Sequence, residues 1–131
     1  MRVVLDTNVL LAAFGTRGLC EALLDVWLEA HKLVLSEYIL DELHDHLTGK
    51  FKVPRRQAGD IVRFLRTEAE MVKPAPLPAG TCDDQDDLPV LGTAVAARAD
   101  CLVTGDRELR KLKSIDGIAI LSPRAFYDRL R

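Results

Sequence analysis

Four short runs of mostly apolar residues, at 2–5, 32–35, 100–103 and 118–121, alternate with stretches whose apolar positions recur every three to four residues. A continuous apolar run of this length suits a strand covered on both faces, and the three-to-four spacing suits a helix with one buried stripe. The helical pattern occupies residues 19–30, 37–47, 55–71, 88–99 and 124–130. Strands alternating with helices predict an α/β domain whose mainly parallel sheet is covered by helices on both faces.

Two of these helices can be read more closely. Between residues 37 and 47, Ile39, Leu40, Leu43 and Leu47 form the buried stripe, while Tyr38, Glu42 and His46 share the neighbouring face. Ser36 stands where an N-cap is expected, and Glu37 lies in the first turn, where a negative charge is favourable. Pro54 can open the helix over 55–71, whose apolar face carries Ile61, Phe64 and Leu65; that helix is a candidate lid or arm. The proline-rich stretch 73–80 has the length of a loop connection rather than a linker between domains.

At 131 residues the chain fits one domain spanning 1–131, with 48% hydrophobic and 29% charged residues as in soluble globular proteins. A formal net charge of −2 excludes nucleic-acid binding through bulk positive charge, so any such contact needs a local patch. With only 5% aromatic residues, an extensive base-stacking platform is not expected. No run approaches the roughly 18 apolar residues of a membrane span, and the N-terminus enters a strand without a signal-peptide pattern, which predicts a cytoplasmic protein. Cys20, Cys82 and Cys101 are odd in number and widely spaced, which reads as reduced thiols rather than a disulfide framework or a zinc site.

The candidate chemistry lies in acids at element ends. VVLDTN (3–8) delivers Asp6 after the first strand, LVTGD (102–106) delivers Asp106 after a later one, and DDLPVLGTAVAA (86–97) places Asp87 at the start of a helix. If the two strands are neighbours, Asp6 and Asp106 open onto one crevice at the carboxyl edge of the sheet. Carboxylates gathered there raise one another's proton affinity unless a cation lies between them. Each acid alone has a plainer explanation as a helix cap, Glu42 reads as a solvent-facing helix residue, and Asp83, Asp84 and Asp86 compete with Asp87 for any ligand role. Three or four acids without a Cys or His cluster suit Mg²⁺ or Mn²⁺, one or two ions per site, and disfavour zinc. Asn8 and Thr104 flank the acids and can steady them. Arg17 and Arg107 are the candidate phosphate contacts, although a solvated surface accounts for most of the nearby charges equally well.

VLDTN, the acid of YILDEL, DLPVLGTAVAARAD and LVTGD, in that order over nearly the whole chain, resemble the motifs of the PIN domain family. The similarity extends to its prokaryotic branch of toxin components of toxin–antitoxin systems, the VapC-like toxins. The resemblance implies a three-layer fold around a mainly parallel sheet of four or five strands. It implies that Asp6, Glu42, Asp87 and Asp106 form an acidic quartet supported by Asn8 and Thr104, with the crowded acids at 83–87 leaving the third position least defined. It further implies a metal-dependent ribonuclease, the toxin of a type II system, with an antitoxin partner and a homodimeric assembly. Two other readings compete. One is a binding module for RNA or a protein partner without turnover. The other is a phosphatase of the haloacid dehalogenase type, against which stands Asn8 where that family places its second Asp.

Overall fold

In the computed structural model, which describes residues 1–15, 25, 29 and 31–129, the chain runs β1 (Arg2–Leu5), α1 (Thr7–Gly15), β2 (Lys32–Leu35), α2 (Glu37–Gly49), α3 (Arg55–Glu68) and β3 (Glu70–Met71). It continues through two 3₁₀ turns to α4 (Leu88–Ala97), β4 (Cys101–Val103), α5 (Arg107–Arg110), β5 (Ser114–Ile115), β6 (Ile118–Leu121) and α6 (Pro123–Arg129). The helix expected over 19–30, together with Cys20 and Arg17, lies largely outside the described residues. The strands form one sheet in the order β3-β2-β1-β4-β6-β5, parallel throughout except for β5 against β6.

The register aligns Val3 with both Leu33 and Cys101, so β1 is the central strand and β4 its neighbour. Val3, Val4, Leu5, Leu33, Val34, Leu35, Cys101, Leu102 and Val103 are all buried, which is why these runs are apolar without alternation. Connections leave β1 toward β2 on one side and β4 toward β6 on the other. Right-handed crossovers therefore place the helices of the two halves on opposite faces and open a crevice beyond the carboxyl ends of β1 and β4.

The sheet has six strands, more than the four or five expected, because two short edge strands were hidden by stronger local signals. The helical pattern over 55–71 stops at Glu68; Ala69 is extended, and Glu70–Met71 pair with β2, where the Val72 N–H reaches the Leu35 carbonyl at 2.9 Å. No glycine marks that stop; the chain leaves the helix at Ala69 and pairs with the edge of β2. At the other edge, Asp116 and Gly117 both take positive φ (48° and 79°) and close a two-residue hairpin between β5 and β6. That Asp-Gly pair is the local signal for this hairpin.

Helix α1 was likewise not anticipated: its apolar run continues from β1 with too little polarity to show a helical period. The helix considered as a lid is a packed element instead. Ala58, Val62 and Leu65 of α3 enter the core, and Arg66 donates two hydrogen bonds of 2.8 Å to Glu37 on α2. Helix α4 stops two residues early, at Arg98, which adopts the left-handed conformation and returns its N–H to the Ala94 and Val95 carbonyls. Among the described residues, no helix is long and apolar enough to cross a membrane.

Candidate active site

The parallel pairing of β1 and β4 continues one step past each strand: the Asp6 N–H donates to the Val103 carbonyl at 2.9 Å, and the Thr104 N–H to the Leu121 carbonyl at 2.9 Å. Asp6 and Thr104 thus emerge side by side. The Asp6 carboxylate accepts at Oδ1 from the Thr7 N–H and at Oδ2 from the Thr104 hydroxyl, both at 2.7 Å. The same Thr104 oxygen accepts from the Asp106 N–H at 3.0 Å, so one buried hydroxyl ties Asp6 to the loop that carries Asp106. Asn8 holds that loop from the other side, its Oδ1 accepting from the Gly105 N–H at 3.2 Å.

Asp106 does cap a helix, accepting from the Glu108 N–H at 2.9 Å. Asp6 does not cap in the usual way, because its donor is the next residue's N–H rather than one from the second or third helical position. Asp87 precedes α4 but makes no side-chain capping bond there. The plain capping explanation therefore accounts for Asp106 alone.

Glu42 is delivered by α2, whose start is set by Ser36 (Ile39 N–H to Oγ, 3.4 Å) and whose rotation is set by buried Ile39, Leu40, Leu43 and Leu47. It lies at the edge of that stripe, where the Thr7 hydroxyl donates to its Oε1 at 2.9 Å. The N-cap of α2 is fastened to the middle of α4 by a buried hydrogen bond of 2.8 Å, in which the Thr93 hydroxyl donates to the Ser36 hydroxyl. This bond helps to fix Asp87 relative to Glu42. The competing acids face elsewhere: Asp84 accepts from the Asp86 N–H at 2.9 Å, and Asp83, Asp84 and Asp86 are all exposed.

Asp6, Glu42, Asp87 and Asp106 all line one cleft of about 470 Å³. Burial, and secondarily the Asp106 charge, push the Asp6 carboxyl up from its ordinary value despite the two donated hydrogen bonds. Glu42 is raised by burial, with smaller contributions from Asp6 and Asp86. Asp87 is pushed up to about 7, first by burial and then by Asp106, Asp6, Asp84 and Glu42. Tyr38, whose hydroxyl donates to the Asp86 carbonyl at 2.9 Å, is raised to about 12 by burial and by the neighbouring acids, Glu42 first.

Converging oxygen donors with raised proton affinity are the electrostatic condition that a hard divalent cation relieves. Among the described residues no group of three or more His, Cys, Asp or Glu side chains is placed to hold a metal ion by direct contact. The donor set fits an ion that keeps several of its waters, as Mg²⁺ does, rather than one enclosed entirely by protein.

The remaining lining differs from what the sequence suggested. Arg107 is exposed on α5 and is not a lining residue of the cleft. His46 is exposed and also lines the cleft, with Lys50 and Phe51 beyond it. The signal for His46 and Lys50 was present, since Glu42, His46 and Lys50 are spaced by four in one helical row, whereas Phe51 falls outside that row. Cys101 is buried in β4 with its thiol pushed up to about 11 by burial, and neither it nor Cys82 lines the cleft.

Comparison with known proteins adds family and fold. A family model described as PIN domain matches residues 2–108. No curated protein sequence matches the chain. Among solved structures, a chain of VapBC-1 from nontypeable Haemophilus influenzae superposes with a TM-score of 0.65 at 18% identity, covering 95% of this chain and 99% of the other. A chain of VapBC2 from Rickettsia felis, solved bound to a DNA fragment from its promoter, gives 0.63 at 18% identity, covering 93% and 98%. PAE2754 from Pyrobaculum aerophilum gives 0.61 at 17% identity, covering 99% and 89%. At such identities the likeness is one of fold.

Proposed function

The chain belongs to the PIN domain family, and from that premise we propose that it is a metal-dependent endoribonuclease that hydrolyses RNA phosphodiester bonds, serving as the toxin of a type II toxin–antitoxin pair. The observation that carries the reading is the convergence of Asp6, Glu42, Asp87 and Asp106, from four separate elements, on one cleft at the carboxyl edge of the sheet. Folding against such repulsion without a compensating role would be a cost with no return.

In this reading Asp6, Asp87 and Asp106 hold one or two Mg²⁺ or Mn²⁺ ions, directly or through water. When bound, such an ion would neutralise the acids and would supply water activation and phosphoryl polarisation. Thr7 and Thr104 keep the Asp6 carboxylate in one orientation, since each of its oxygens already accepts a hydrogen bond. An acid held at both oxygens suits ion binding better than nucleophilic attack, which disfavours a phosphoaspartate mechanism. Glu42 has Oε1 engaged by Thr7, and its other oxygen serves to orient the attacking water and take its proton. Asn8 fixes the Gly105 backbone so that Asp106 stays at the cleft while capping α5.

Chains of this fold in VapBC structures support an antitoxin partner; in this reading it covers the cleft, and the protein acts as a homodimer in the cytoplasm. The partner-free protein is to be incubated with a panel of RNAs in Mg²⁺, Mn²⁺ or EDTA, beside Asp6→Asn and Asp106→Asn. Cleavage that requires metal and disappears in both variants is expected. Intact RNA throughout, or cleavage indifferent to EDTA and to both substitutions, overturns the reading.

A further inference from the structure

The acid cluster occupies only one end of the cleft. From Glu42 the lining follows α2 through His46 to Lys50 and Phe51, at the carboxyl end of that helix. The Lys50 and Phe51 N–H groups both donate to the His46 carbonyl, at 3.0 and 3.1 Å, so the two residues are held close to the helix end. His46 Nδ1 lies 2.9 Å from the Glu42 carbonyl. Because a carbonyl can only accept, Nδ1 carries the proton and Nε2 is left for another partner.

Phe51 is 50% exposed, one of few large apolar side chains so placed among the described residues. The Lys50 ammonium stands 5.9 Å from its ring centroid, near the outer limit of a cation–π contact. Among the described lining residues, Lys50 is the one Lys or Arg and Phe51 the one Phe, Tyr or Trp. A cleft of carboxylates repels phosphate, so a polyanion needs a cation beyond the cluster to hold its flanking residues. An exposed ring beside that cation supplies what a nucleobase adds to a phosphate, an apolar π face.

Resting on the ribonuclease reading, we infer that Phe51, Lys50 and His46 form a nucleotide-binding shelf: Phe51 stacks on an unpaired base flanking the scissile phosphate, and Lys50 pairs with an adjacent backbone phosphate. His46 Nε2 meets the sugar or phosphate between them. Bases inside a duplex already have both faces stacked, so the shelf selects single-stranded or looped RNA.

The test combines cleavage kinetics on unpaired and duplex RNA with direct binding of labelled single-stranded RNA to Asp106→Asn protein. The variants are Phe51→Ala, Phe51→Leu, Phe51→Trp and Lys50→Ala, each checked for folding by circular dichroism. Loss of one stacked base weakens binding by roughly 5- to 150-fold. Phe51→Ala and Phe51→Leu are expected to raise KM and Kd for unpaired RNA within that range and to change kcat much less, while Phe51→Trp restores binding. An abasic nucleotide at the stacked position should reproduce the loss in otherwise unaltered protein and add nothing to Phe51→Ala. Lys50→Ala should reduce the slope of log affinity against log salt by about 0.7, the value for one single-strand phosphate.

Phe51→Ala or Phe51→Leu protein with unchanged KM and Kd overturns the shelf, as does an equal loss on duplex RNA. If such protein keeps RNA binding but loses binding of a protein partner, Phe51 is a protein-docking residue and the shelf is again overturned. Active unsubstituted protein in these cases leaves the ribonuclease reading standing. If the unsubstituted protein neither cleaves nor binds any RNA, that reading fails and the shelf fails with it.

Discussion

Neutralising Asp87 should stabilise the metal-free protein while removing its activity. Asp87 is the most strongly shifted of the cleft acids, its carboxyl moved from 3.8 to about 7 by burial and by the charges of Asp106, Asp6, Asp84 and Glu42. It makes no side-chain capping bond to α4, so Asp87→Asn breaks no hydrogen bond to the helix backbone. A folded state that binds a proton more tightly than the unfolded chain loses stability as pH rises. The penalty is absent below about pH 4, grows between roughly pH 4 and 7 and is complete above 7. At 1.36 kcal/mol per unit, the shift corresponds to a ceiling of about 4 kcal/mol; Asp87 is half-buried, and solvent screening reduces this to about 1–2 kcal/mol.

The assay is thermal unfolding in EDTA at pH 5 and pH 8. Asp87→Asn should melt roughly 3–8 °C above the unsubstituted protein at pH 8, with less than half of that gap remaining at pH 5. Adding millimolar Mg²⁺ should raise the unsubstituted protein and narrow the gap, because a ligand bound only by the folded state stabilises it by mass action. A variant that melts at or below the unsubstituted protein at pH 8, or a gap unchanged between the two pH values, refutes the combined burial and charge crowding of Asp87 as a cost to the metal-free fold.

Thr104→Val removes the hydroxyl that links Asp6 to the Asp106 loop; the metal concentration for half-maximal cleavage should rise by roughly 10- to 100-fold, measured by Mn²⁺ titration. Gly92→Ala should lower stability by about 1–3 kcal/mol in urea unfolding, because a methyl group there would stand 2.3 Å from the Ala75 carbonyl oxygen, a backbone atom of the proline-rich strap packed on α4. Asp106→Asn should keep the fold, since Asn can also cap α5, and its circular dichroism and melting temperature should match the unsubstituted protein far more closely than its activity does. Arg66→Ala should leave stability nearly unchanged, because its ion pair with Glu37 is solvent-exposed; a clear loss in urea unfolding would show that the pair anchors α3.

Local periodicity was enough to place most of the elements. The buried strands at 2–5, 32–35, 100–103 and 118–121 and the stripe of α2 could be read residue by residue, because burial on one face or two writes itself into neighbouring positions. Asp6 and Asp106 stand out for a similar reason, each following an apolar run where a carboxylate is conspicuous, whereas Glu42 and the choice of Asp87 among the crowded acids rested on the resemblance to the PIN domain motifs. Edge strands of two residues are too short to carry a period, so β3 disappeared into the pattern of α3. The uniformly apolar α1 hid behind β1.

Adjacency was decided only in three dimensions. That β1 lies between β2 and β4, that Thr104 bridges Asp6 and Asp106, and that Asp87 rather than Asp84 or Asp86 enters the cleft all depend on strand order and helix packing. Phe51 acquires its place from the fold in the same way, since unlike Lys50 it does not share the helical row of Glu42 and His46. A chain position records whether a side chain is buried, because burial is sensed locally through spacing. Which distant groups it meets depends on how sheets and helices stack, and that information resides in contacts between segments far apart along the chain.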